Sequence, residues 1–72
     1  MSTHQIRSGA DLGRTIAQLR RDRNLTQTAL AELAGISPAY IAKIETGRTS
    51  SIVEHQFRVL RRLGATITIE TE

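Results

Sequence analysis

With 72 residues, ten Lys and Arg against seven Asp and Glu, and a formal net charge of +3, the chain is one small domain, able to bury only about 60% of the surface it exposes unfolded. It contains no cysteine, which excludes a disulfide framework and a thiolate metal site. No apolar run is long enough to span a membrane or form a signal-peptide core, so the chain is read as cytoplasmic, with no membrane among its partners.

In chain order, residues 1–8 carry no hydrophobic period and read as a flexible leader. Two uses stay open for it, an idle leader and an arm that touches DNA. Ser8, with Asp11 three residues on, caps a first helix running to about Asp22, and Leu12, Ile16 and Leu19 fall on one face of it. A second helix starts after Thr26, whose hydroxyl accepts from a free backbone N–H, and stops at Gly35. Ser37 followed by Pro38 starts a third, because proline at the first helical position has no N–H to lose and arrives with its φ preset. Thr46 and Gly47 end that helix. Ser51-x-x-Glu54 reads as a capping box for a fourth helix ending near Leu63, with Gly64 as its stop.

Helix four is apolar over a wide arc. At 100° per residue Val59, Ile52, Leu63, Leu60, Val53 and Phe57 spread over about 160°, more than one packing stripe requires. Val59 and Leu63, on one edge, are candidates for contact with a second subunit. Beyond Gly64 the period becomes two, with Ala65, Ile67 and Ile69 on one side and Thr66, Thr68 and Glu70 on the other, which predicts a β-strand. The sequence offers no second strand for it. Its unpaired N–H and C=O groups then call for another chain, and a twofold homodimer in which Thr66, Ile67, Thr68 and Ile69 pair antiparallel with their copies satisfies them. A frayed tail is the plain alternative.

The segment from Gln27 to Arg48 places two short apolar periodic stretches around one glycine, which is helix, tight turn, helix. Ala31 puts a small side chain where two helices cross, Gly35 supplies the permissive turn, and Ile36, Ile41 and Ile44 form the apolar side of the second helix. This segment resembles the helix-turn-helix of the small phage-repressor-like (Xre/Cro-type) family, whose second helix reads bases in the major groove of double-stranded DNA. The resemblance extends over roughly residues 10 to 63. The expected architecture is therefore all-α: a compact four-helix helix-turn-helix domain over residues 9–63, and a dimerisation strand over residues 64–72.

With Ile41 and Ile44 on the buried side, Ala39, Ala42 and Lys43 point outward and Tyr40 lies on the flank. Two alanines make a flat surface that lets the backbone approach base edges, with Ala39 suited to a thymine methyl and Lys43 to guanine or to a phosphate. Ser37 and Pro38 sit at the end that enters the groove, and Tyr40 is open to a phosphate or base contact or to packing on a neighbouring helix. The resemblance implies that Gln27 holds a phosphate, aided by the positive end of its helix. In the loop of Thr46, Gly47, Arg48 and Thr49, backbone amides and Arg48 can grip a second one. Arg58, Arg61 and Arg62 read as solvated surface or partner contacts before DNA contacts. The resemblance also pairs Arg20 with Glu45 as a partly buried ion pair, which removes Arg20 from the DNA ligands.

Four helices followed at once by a short strand, with Leu63-Gly64 at the junction and Thr-Ile-Thr-Ile after it, resemble the HipB type of antitoxin. That resemblance implies a dimeric repressor of its own operon that binds operator DNA and a HipA-like serine/threonine kinase toxin. A stand-alone Xre-family regulator, or a helix-turn-helix protein used mainly to bind a protein partner, are the alternatives. Catalysis finds no inventory: His4 and His55 lie in the leader and on a polar helix face, no nucleophile has a base at suitable spacing, and no Gly-rich loop follows a strand. No cofactor or metal is expected.

Overall fold

The computed structural model describes residues 2–48 and 50–72, and they form six elements: β1 (Ser2–Ile6), α1 (Gly9–Asp22), α2 (Gln27–Ala34), α3 (Pro38–Glu45), α4 (Ser51–Arg62) and β2 (Ile67–Thr71). The four-helix architecture and the C-terminal strand agree with the sequence pattern. α3 packs on α2 and α1, and α1 meets both β1 and α4.

The helices start where short polar side chains can satisfy free N–H groups. Ser8 Oγ accepts from Asp11 N at 3.1 Å, Thr26 Oγ1 from Ala29 N at 3.0 Å and Ser37 Oγ from Tyr40 N at 3.1 Å. Each such cap contributes on the order of 1 kcal/mol. α2 stops because Gly35 takes the left-handed conformation, φ 73°, from which its N–H and that of Ile36 close back on α2 carbonyls. At α4 the cap differs from the sequence pattern. Ser50, not Ser51, accepts from Val53 N, so Ser51 opens the helix and Glu54 lies in its first turn, one position too late for a capping box.

The leader and the unpaired strand are corrected by β1. Residues 2–6 are extended and pair antiparallel with β2 within the chain, Ser2 opposite Thr71, His4 opposite Ile69 and Ile6 opposite Ile67. Ile6 is 1% exposed, the most deeply buried large side chain. A single apolar residue in a five-residue polar strand leaves no visible period, yet it anchors the strand because its neighbours are pinned as well. Arg7 N–H donates to Asp11 Oδ2 at 3.0 Å, the Arg7 carbonyl accepts from Arg61 of α4, and the Ser2 and Thr71 hydroxyls meet at 2.6 Å. β1 and β2 make a two-stranded sheet, so each keeps one outer edge without a sheet partner among the described residues.

Small residues decide how closely the helices approach. Ala17, Ala31, Ile41, Phe57 and Ile6 are buried. Gly13 of α1 lies against the end of α3, where an added Cβ would come within 2.9 Å of Gly47 N and closer still to the Ile44 carbonyl oxygen. Gly47 in turn faces the Ala10 backbone. This glycine contact, which no hydrophobic period reveals, sets the loop after α3 directly on α1. Ile36 stays 38% exposed, so it packs less completely than the apolar pattern predicts.

Candidate nucleic-acid interface

α3 is amphipathic in the sense that a groove-reading helix needs. Ile41 is buried and Ile44 half-buried against the body, while Ala39, Tyr40 and Lys43 are exposed. Ala42 is half-buried rather than fully outward. The exposed set begins at the first turn, where Ser37 caps and Pro38 occupies the first helical position. Tyr40, though exposed, also lines a cleft shared with α1 and the start of α4.

A hydrogen-bonded knot beneath this surface fixes α3 to α1 and α2. Arg20 Nε donates to Glu45 Oε2 at 2.6 Å and Nη2 to Oε1 at 3.1 Å, while Nη1 donates to the Leu25 carbonyl at 2.8 Å. The side chains are only 13% and 8% exposed. Such a bidentate pair fixes geometry as well as charge. Donation from Arg20 holds the Glu45 carboxyl below the usual glutamate range, against the opposing effect of burial, and a bond from Gln27 adds to it. Glu45 in turn raises the Arg20 guanidinium.

Gln27 belongs to this knot. Its Nε2 donates to Glu45 Oε1 at 3.1 Å, which spends one of the two amide hydrogens. A phosphate at the α2 N-terminus would meet the free amides of the first turn.

The loop after α3 is corrected in one respect. The amides of Thr46, Gly47 and Arg48 donate to the carbonyls of Ala42, Ile44 and Lys43, and the Thr46 hydroxyl donates to the Lys43 carbonyl at 2.8 Å. These donors finish the helix and are not free to hold a phosphate. Thr46 is therefore a helix-ending residue, and the Arg48 side chain, exposed, is the group the loop offers to an anion. Thr49 lies outside the described residues. Arg61 is tied to the Arg7 carbonyl and so serves the junction between β1 and α1.

The remaining sequence-selected residues lie elsewhere. Val59 and Leu63 are exposed on α4 together with Ile52, and Thr66, Ile67, Thr68 and Ile69 lead into and form β2. Among the described residues no group of three or more His, Asp or Glu side chains gathers to hold a metal, and no helix is long and apolar enough to cross a membrane.

Comparison with known proteins agrees with this geometry. Residues 11–67 match the family model described as a helix-turn-helix domain. The chain is 32% identical over 65 residues, 90% of its own length and 86% of the relative's, to an uncharacterized HTH-type transcriptional regulator, y4mF, of Sinorhizobium fredii. No solved structure matches.

Proposed function

The chain belongs to this helix-turn-helix domain family, and from that premise we propose that it is a sequence-specific transcriptional repressor that places α3 in the major groove of operator DNA. The single observation that carries the reading is the flat outward surface of α3, Ala39 and Lys43 exposed over a buried Ile41, held in place by the Arg20–Glu45–Gln27 knot. Lys43 is the base-reading or phosphate-binding cation, Ala39 allows close approach, and Gln27 and Arg48 hold phosphates at the two ends of the motif. The similarity to a protein named as a transcriptional regulator supports the same reading.

The repressor acts as a homodimer. Ile52, Val59 and Leu63 are 72%, 56% and 73% exposed along one stripe of α4, a run of large apolar side chains that a second copy would remove from water. Because β1 occupies one edge of β2, two subunits pairing through their terminal strands would meet at the opposite edge and build a four-stranded sheet, β1-β2-β2-β1. The finer reading is an antitoxin of a HipBA-like operon, supported by the order of four helices followed by a strand. Its kinase toxin would bind away from α3.

The test is fluorescence anisotropy of the purified chain on DNA from upstream of its own gene and on scrambled DNA of equal length. The reading requires tighter binding to the upstream segment. Equal affinity for both overturns sequence-specific repression, and failure of a neighbouring kinase to co-purify overturns the antitoxin reading alone.

A further inference from the structure

A cleft of about 340 Å³ lies between α1, α3 and the first turn of α4, within the size range of small-molecule sites. Leu12 and Ile16 of α1, Ile44 of α3 and Val53 of α4 form its apolar wall. All four are only half-buried although they stand at the junction of three helices. Gly9 and Gly13 of α1 also line the cleft, and α4 is anchored further along by the buried Phe57. Tyr40, Arg48 and Ser50 surround the mouth.

Arg48 is a cation at the mouth. Asp11, on α1, already bonds Arg14 and the Arg7 N–H, and Glu45, on α3, is engaged by Arg20 and Gln27. Arg48 lines the opening, and neither of these two acids is its hydrogen-bond partner. The Tyr40 and Ser50 hydroxyls supply hydrogen-bond donors beside it. An apolar wall below a guanidinium fits a molecule with a short hydrocarbon body and one carboxylate, since the body gains about 25 cal/mol for each Å² taken from water and the head gains a charge-assisted bond.

We propose that this cleft binds a small amphipathic carboxylate, its hydrocarbon between Leu12, Ile16, Ile44 and Val53 and its carboxylate on Arg48. The consequence for regulation rests on the repressor reading above. Arg48 is also the cation that the loop after α3 offers to a DNA phosphate, so a bound carboxylate and the DNA backbone compete for one guanidinium. Occupancy would release the operator.

Octanoate is the probe, with 1-octanol as its uncharged counterpart, followed by methyl NMR of the full chain without DNA. Saturable shifts at Leu12, Ile16, Ile44 and Val53, with octanoate binding at least tenfold weaker in Arg48→Ala and 1-octanol weaker than octanoate, are the expected result. Val53→Phe, which fills the cleft, should abolish binding; if that variant does not fold, Arg48→Ala decides. Non-saturating shifts centred on Ile52, Val59 and Leu63, or equal octanoate affinity in Arg48→Ala, would overturn the site. With operator present, octanoate should weaken the parent complex and leave that of Arg48→Ala unchanged. A saturated cleft with undiminished DNA affinity overturns the regulatory link, whereas absence of any operator preference in the untreated parent overturns the repressor reading and not the site.

Discussion

Lys43 and Arg48 are both exposed cations within five residues of each other, yet their loss should have different signatures. Lys43 stands on the outward face of α3, so Lys43→Ala should cost about 1 to 3 kcal/mol on the operator and relax preference at one position of each half-site. Arg48 lies in the loop, with only its side chain available to an anion, and Arg48→Ala should weaken binding to every sequence alike while making the salt dependence shallower. Titrations on operator and scrambled DNA at several salt concentrations separate the two. Glu45 makes a stability prediction of the same scale. Its folded carboxyl is held below the ordinary glutamate value, so its contribution is fully present above that value and is lost as pH falls through it toward the lower folded one. Urea midpoints measured stepwise down through the glutamate range should therefore decline. Arg20→Ala should start from a clearly lower midpoint at neutral pH and show a flatter acid decline, because the carboxylate it strands no longer gains from being charged. An unchanged midpoint would make the pair a surface contact.

At the scale of elements, the helices were legible because each carries a local signal that physics makes unambiguous: a hydroxyl before the first turn, a proline at the first helical position, a glycine where φ must turn positive. α4 shows how such signals mislead when two hydroxyls adjoin. Ser50 and Ser51 offer the same chemistry, and the choice between them is made by where the loop from Gly47 delivers the chain, which local sequence does not state. Ser50→Ala should accordingly cost about 1 kcal/mol in thermal or chemical unfolding, whereas Ser51→Ala should be nearly neutral. The reverse order would restore the capping box. β1 was illegible for a different reason. Ser2, Thr3, His4 and Gln5 are polar, and the strand is stabilised by a partner more than sixty residues away, so no window along the chain contains both halves of its hydrogen bonding. The outward face of α3 was legible through Ile41 and Ile44, which turn to the body as buried and half-buried side chains. The exhaustion of the Thr46, Gly47 and Arg48 amides was not, because only the three-dimensional helix end shows which carbonyls they meet.

At the scale of the whole molecule, a 72-residue chain with three large apolar side chains exposed along one helix is poorly sealed as a monomer. Sedimentation equilibrium should show a dimer at micromolar concentration, and Val59→Glu with Leu63→Glu should shift it to monomer while the far-UV helical signal persists; a monomeric parent would remove the interface from the account. In the proposed dimer, two copies of α3 would reach successive major grooves about 34 Å apart on an inverted repeat.

The central claim, that α3 enters the groove, is tested most directly at Ala39, whose exposed methyl takes no part in the core. Ala39→Glu places a carboxylate where a base edge or phosphate should lie, without disturbing Ile41 or the Arg20–Glu45 pair. In a binding titration against operator DNA the account predicts a loss of at least tenfold in affinity, with the urea midpoint within about 0.5 kcal/mol of the parent's stability. Parent-like affinity of this variant for the operator would contradict it.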